Sequence, residues 1–575
     1  MKKTLTSLLF VSGLWFLNLF FYNGSVFAQQ LAVPFRVEVE QVSQLNAPTL
    51  QSYVYAQQNG KWLLMAGRTN GLHNFPSPVN NSAFPTVFAN KMMYVYDPVT
   101  DTRWSKNIYT DLPLGVADQL RATNLQYLVL GNMLYVVGGY GKDSALSSPG
   151  RDSMVTFPRL TAINISGAIN AVINGTSIAP FVRSIIDTNM AVTGGKLRRL
   201  DNTFLLCVGQ KFTGLYGFSG SGVQNGVQKY TDEIRTFNIV DDGVNLSIAN
   251  LSHITNPAIL HRRDLNVVDV INNTTRLPEL RLYGGVFTND VSTWNNPVNV
   301  SLTSATQDNS FSQRFSHYDC ANLGVYDSVY NRMSTVLFGG ISLWTLDTLT
   351  NTPYIDTAGC GGPCIPFINL ISVITKYSNN SYKDSLLPIR FPQNKTLGSE
   401  MNFIIDTALP TYNNRVIKVN QLSNRTFVGY LYGGIDASAT TSENSFMHQM
   451  YDKSKRGRGA GSTATSIIYK VYLTPNVVSV QNISSIVPQK YSLHQNYPNP
   501  FNPVTKIGFQ IPKSGVVKIS IYDITGKKIS SLVNEQLNAG SYETIWNGDK
   551  FSSGVYYYTI EVNDFVETRK MLLVK

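Results

Sequence analysis

Charge is what this chain has least of. Only 14% of its 575 residues are Asp, Glu, Lys or Arg, against 43% hydrophobic, which excludes a disordered chain and supplies apolar material for large cores. The net charge of +11 is spread thinly rather than gathered on one face, which argues against a nucleic-acid partner. One dense basic run, Lys453, Lys455, Arg456 and Arg458, sits among glycines. It reads as a solvated loop, with a phosphate- or polysaccharide-binding loop as the alternative. Cysteine is scarce, at four residues. Cys207 and Cys320 lie in strand-like apolar stretches and read as buried thiols. Cys360-Gly-Gly-Pro-Cys364 has the residues of a tight reversal and is the candidate disulfide. No His or second Cys pair accompanies it, so no metal is called for. Catalytic signatures are missing too. No phosphate-cradling loop ends in Gly-Lys-Ser/Thr, and Gly217-Phe-Ser-Gly-Ser-Gly222 lacks nucleophile-elbow spacing, so no cofactor is expected. Long apolar runs are absent beyond the N-terminus, and no later segment is of bilayer-spanning length.

Thr, Asn, Ser, Tyr and Val are abundant, a bias that favours strands, and the chain reads as nearly all-β. Lys2 and Lys3 precede an apolar stretch from Leu5 to Tyr22, and Val26-Phe-Ala28 offers small residues where a signal peptidase reads. Residues 1–28 are therefore an expected signal peptide cut before Gln29. An uncleaved anchor is the alternative, against which Ser12, Gly13 and Asn18 interrupt the stretch.

Self-similarity organises the middle of the chain. An apolar strand runs into a glycine pair at Leu134-Tyr-Val-Val-Gly138-Gly139, Leu282-Tyr-Gly284-Gly285, Val336-Leu-Phe-Gly339-Gly340 and Tyr430-Leu-Tyr-Gly433-Gly434. Degenerate copies end at Gly67 and Gly209. Each is preceded by another apolar stretch, and several are followed by strands such as Met93-Tyr-Val-Tyr-Asp97. This unit resembles the blade of kelch-type β-propellers. The resemblance implies a propeller of about six four-stranded blades over residues 29–489, the double glycine turning with positive φ where inner strands crowd. A sandwich with glycine turns is the alternative. The glycine marks are less evenly spaced than kelch repeats, so insertions are expected at Gly141 to Pro158 and Leu343 to Pro366.

From Tyr491 the character changes. The run Tyr491-Ser-Leu-His-Gln-Asn-Tyr-Pro-Asn-Pro-Phe-Asn-Pro503 enforces an extended entry. Ile519-Ser-Ile-Tyr-Asp-Ile-Thr-Gly526, Leu537-Asn-Ala-Gly540, Ser553-Gly-Val-Tyr-Tyr-Tyr558 and Lys570-Met-Leu-Leu-Val-Lys575 follow in order. This set resembles the type A sorting domain of the Bacteroidota-type type IX secretion system, so residues 490–575 are expected to form a small β-sandwich sorting domain. The resemblance implies the type IX machinery as a partner, passage through the outer membrane, and either release or attachment to surface lipopolysaccharide.

In a kelch-like propeller the innermost strand of each blade lines a central channel. The corresponding entries, Leu120-Arg-Ala-Thr-Asn124, Leu260-His-Arg-Arg-Asp264 and Phe315-Ser-His-Tyr-Asp319, nominate Arg121, His261, Arg263, Asp264, His317 and Asp319 as a polar ligand pocket at one mouth. The competing reading makes them hydrogen-bonding anchors between blades. No nucleophile accompanies the histidines, so no catalytic residue is assigned. The expected function is a noncatalytic secreted or surface module that binds a protein or glycan. The alternatives are a carbohydrate-active enzyme at the channel mouth and a structural surface-layer component.

Overall fold

The computed structural model describes residues 33–73, 83–146, 153–218, 224–288, 292–347, 349–357, 364–422, 424–437, 462–475, 481–484, 487–548 and 551–575. The expected signal peptide, the basic run at 453–458 and Cys360 lie outside them. Strands dominate and helices are few and short, so the chain is all-β. It divides into two compact units, Met1–Pro475 and Asn476–Lys575.

Among the described residues, the first unit contains six antiparallel sheets with four strands each at their centre. Sheet I holds Val54–Gln58, Lys61–Met65, Met92–Asp97 and Thr102–Asn107, in that order. Sheet II runs through Thr123–Leu130, Met133–Lys142, Arg159–Asn164 and Val182–Ile186. Sheet III comprises Lys196–Leu200, Thr203–Cys207, Glu233–Asp241 and Leu246–Thr255, and sheet IV Asn266–Ile271, Pro278–Tyr283, Val298–Val300 and Ala305–Gln307. Sheet V comprises Ala321–Asp327, Arg332–Phe338, Leu370–Lys376 and Tyr382–Arg390. Sheet VI is built differently: Asn402–Ile405, Thr426–Tyr432 and Ile468–Pro475 take their fourth strand, Phe35–Val42, from the start of the chain.

The second strands of these sheets are buried on both faces, which is why they read as continuous apolar runs rather than as alternations. In Lys61–Met65, Leu63 and Met65 face a cluster shared with sheet II, while Trp62 and Leu64 face one shared with sheet VI. Comparable clusters fill the interfaces II/III, III/IV, IV/V and V/VI. The glycine-ended motifs fall on the second strand of all six sheets. Their glycines take positive φ, as expected, and so do the residues standing in for the first glycine of the degenerate copies, Ala66 (φ 60°) and Val208 (φ 50°). The turn serves to link sheets. Gly67, Gly139, Gly209, Gly340 and Gly434 each donate their backbone N–H to a carbonyl entering the neighbouring sheet, at Ala122, Val192, Arg262, Leu397 and Leu50. Between sheets IV and V the link is instead Asn266 Nδ2 to the carbonyl of His317, 2.5 Å.

The insertions carry structure of their own. Met154–Thr156, Gln210–Phe218 and Gln224–Tyr230 extend the end of Met133–Lys142, and Trp344–Leu346 pairs with Pro353–Ile355. Cys207 and Cys320 are free and buried. Cys364 is disulfide-bonded.

The second unit packs two four-stranded sheets around Phe501, Ile519, Trp546 and Tyr558. Val504–Ile511 and Gly540–Asn547 form the centre of one; Gly515–Tyr522 and Gly554–Val562 form the centre of the other. The Asp523 turn closes as its sequence suggests: its carboxylate accepts the N–H groups of Thr525 and Lys527, and Gly526 takes φ +79°. Two strands escaped the sequence reading. Lys528–Leu537 is an edge strand whose polar, charged alternation lacks an apolar run, and Gln481–Ser484 pairs with Gly540–Asn547 from before the proline-rich entry.

Candidate functional site

The first strand of each sheet is entered through one residue in the left-handed region. These are Ser52 (φ 54°), Asn124 (φ 51°), Gly194 (φ 67°), Asp264 (φ 49°), Asp319 (φ 44°) and Glu400 (φ 58°). Five of the six carry polar side chains in a conformation that costs non-glycine residues about 1–2 kcal/mol each, which is how strain concentrates at sites rather than in scaffolds. Their side chains meet. Ser52 Oγ contacts Asn124 Oδ1 and donates to Glu400 Oε2 at 2.8 Å. Asn124 Nδ2 reaches Asp264 Oδ1 at 3.4 Å. Lys196, two residues beyond Gly194, pairs with Asp319 Oδ1 at 2.6 Å.

Three carboxyls share this small space with one ammonium, and their protonation separates accordingly. Burial, with the Asp319 charge beside it, pushes the Glu400 carboxyl well above its ordinary range. Burial also raises Asp264 to about 6, which Arg263 only partly offsets. Burial opposes the Lys196 charge, but Asp319 and Glu400 outweigh it and hold the ammonium above its usual value. The cluster therefore presents the Lys196–Asp319 ion pair beside two carboxyls, Glu400 and Asp264, that burial biases towards their protonated forms. Such a mixed donor and acceptor set suits hydroxyl or amino groups.

The cluster sits at one end of a cavity of about 750 Å³. Its walls come from the first strands of all six sheets, including Tyr55, Tyr127, Arg198, Asp269, Asn322 and Phe403. Ser52, Asn124 and Glu400 also border a pocket of about 80 Å³ with aromatic walls that include Phe84, Tyr140, Phe212 and Phe287.

Of the residues nominated from the sequence, Asp264 and Asp319 belong to this cluster. The other four point elsewhere. Arg121 pairs with Asp118 at 2.8 Å and lies over the Tyr109 ring. His261 bonds Asp232 through Nδ1 at 2.8 Å and stacks on Tyr230. Arg263 is buried against Tyr230 and Phe287, 3.8 Å from the Asp264 carboxylate. His317 is 1% exposed, with Nδ1 2.6 Å from the Gly339 carbonyl and Nε2 2.9 Å from Ser372 Oγ. Cys360, the expected partner of Cys364, lies outside the described residues. Ser52, Lys196 and Glu400 were missed. The signal that finds Ser52 and Glu400 is the residue two places before the first strand, aligned across the repeats rather than sought near histidines; Lys196 opens its own strand.

His317 yields a direct expectation. Burial lowers its pKa from 6.5 to about 4, so it is the neutral imidazole that donates to Gly339 O and accepts from Ser372. Because the folded value lies below the unfolded one, its contribution is present above pH 6.5 and is lost as the pH falls towards 4. His317→Ala is expected to destabilise by ~1–3 kcal/mol, read as a lowered melting temperature at pH 7, with a smaller loss near pH 4. A melting temperature that stays put would remove the anchor.

Comparison with known proteins places the second unit. Residues 495–575 match the secretion system C-terminal sorting domain. That module marks export by the type IX secretion system, so the chain is a surface or secreted protein that engages the type IX machinery. The match is confined to those residues. No curated protein matches the chain. Among solved structures, Escherichia coli alpha-2-macroglobulin activated by porcine elastase aligns at 7% identity over 94% of this chain and 53% of that one, with a TM-score of 0.10. The native conformation of the same protein aligns at 8% identity over 94% of this chain and 40% of that one, also at 0.10. The chain thus spans about half or less of those proteins' length, and similarity at that level carries no argument about fold or function.

Proposed function

We propose that the first unit is a six-bladed, kelch-type β-propeller that binds a glycan or protein ligand in its central cavity, and that type IX export delivers it to the cell surface or the medium. The propeller reading is supported by the pairing of Phe35–Val42, from the start of the chain, with Ile468–Pro475 inside the last sheet, and by the hydrogen bond from Gly434 to Leu50, which links that sheet to the first. The binding reading rests on one observation. Four of the six equivalent strand entries, Ser52, Asn124, Asp319 and Glu400, place polar side chains on a single cavity of about 750 Å³, a placement favoured for ligand sites. On this reading residues 1–28 are removed as a signal peptide, and the sorting domain leads either to release or to attachment to surface lipopolysaccharide.

A second reading is glycoside cleavage. It is favoured by Glu400, whose carboxyl burial pushes above its ordinary range, lying beside the ion-paired Asp319, since a raised acid next to a paired carboxylate is how such enzymes divide acid and base roles.

The test is a glycan-array and pull-down screen with the mature chain, with hydrolysis followed on every glycan retained. Lys196→Met combined with Asp319→Asn removes the ion pair without stranding either charge. It is expected to lower affinity at least tenfold while leaving the melting temperature nearly unchanged. Full affinity in that double variant would reject the cavity as the site.

A further inference from the structure

Besides the acidic cluster, the cavity wall carries arginines. Arg198, on Lys196–Leu200, and Arg415, in the turn between Tyr412 and Val416, both line this cavity. Both act electrostatically on Tyr55, Tyr127 and Asp269, so the two guanidinium groups share one region of the wall. Arg198 is fixed by hydrogen bonds from Nε to Val267 O (2.9 Å) and from Nη1 to Leu197 O (3.0 Å). Its Nη2 has no partner among the described residues. Arg415 is exposed, and its guanidinium makes no hydrogen bond or ion pair among the described residues.

The charges do not cancel. Asp269 feels both arginines, no ion pair joins it to either among the described residues, and burial pushes its pKa up despite them. Arg199 also lines the cavity, where its guanidinium bonds Asn202 Oδ1. Two guanidinium groups with free donors thus face a half-enclosed space, where water screens them less than on an open surface. Planar donor forks suit carboxylate, sulfate or phosphate oxygens.

We infer that Arg198 and Arg415 form an anion subsite of the cavity, and that the ligand is a hydroxyl-rich molecule bearing a carboxylate, sulfate or phosphate group, an acidic sugar. Its anionic group sits between the two arginines, and its hydroxyls reach towards Lys196, Asp319 and Glu400. This assignment rests on the cavity being the binding site.

Four probes that share one ring separate the possibilities: glucose, glucuronate, glucose 6-sulfate and glucose 6-phosphate, titrated into the mature chain at low ionic strength. At least one anionic probe is expected to bind tenfold or more tighter than glucose, the preferred one naming the anion, and added salt is expected to narrow the gap. Arg415→Gln should abolish the preference, Arg415→Lys should keep part of it, and neither should shift the melting temperature. Equal binding of glucose and the anions, a preference that survives Arg415→Gln, or no binding of any probe would overturn the inference. A neutral glycan from the array that depends on Lys196 and Asp319 but ignores Arg415→Gln would overturn the subsite and leave the cavity reading standing.

Discussion

Removal of Asn476–Lys575 is expected to leave the protein inside the cell envelope, folded but absent from the surface and the medium. The expectation follows from the fold as well as from the matched residues 495–575. The second unit has its own core of Phe501, Ile519, Trp546 and Tyr558, and contacts divide at Pro475, so the cut removes an export module without opening the first unit. Fractionation with an antibody against the first unit reads the result. A secreted fraction of ~1% or less of the wild-type amount is the expected effect, and the retained protein should melt with the first unit's transition. Secretion at the normal level would exclude the sorting assignment.

Gly339→Ala is expected to be among the most damaging single methyls in the first unit, alongside Gly138→Ala. Gly339 has φ +63°, and a Cβ there would stand 1.9 Å from the carbonyl oxygen of Leu397, a backbone atom that cannot rotate away. The same carbonyl accepts the Gly340 N–H at 3.1 Å, so moving it breaks the link between sheets V and VI. Strain, clash and the lost bond together should cost ~3–5 kcal/mol. Gly131 is the internal control, since it has φ +57° and nothing within 4 Å of its added Cβ. Gly131→Ala should cost only the conformational ~1 kcal/mol. Denaturant midpoints of the two variants separate the terms, and equal losses would show that the close approach at Gly339 contributes nothing.

The sequence made the repeat legible because Gly138, Gly284, Gly339 and Gly433 answer to a backbone demand that few other residues meet. Where Ala66 and Val208 bear the same conformation, the mark faded but the apolar strand before it did not. The candidate site was half legible. Arg263 and Asp264 are adjacent, yet one lies between Tyr230 and Phe287 and the other meets Asn124. His317 and Asp319 part in the same way, one under Gly339 and the other on Lys196. Composition places both members of each pair at a strand entry, but a shift of one residue exchanges Arg263 and Asp264, and the left-handed backbone at both His317 and Asp319 breaks the strand alternation that would set them on one face. Glu400 and Ser52 were hidden for another reason. Their partners lie 348 residues apart in the chain and meet only because the last sheet abuts the first.

The most direct test of a ligand-binding central cavity is hydroxyl-radical footprinting of the mature chain with and without the tightest glycan or protein from the screen. Tyr55, Tyr127 and Met401 line the cavity and report on it through oxidisable side chains. The account predicts that ligand lowers modification at Tyr127 and Met401 severalfold and leaves the exposed Tyr354 unchanged. Protection confined to outer positions such as Tyr354, with Tyr127 and Met401 oxidised as in the free protein, would contradict it.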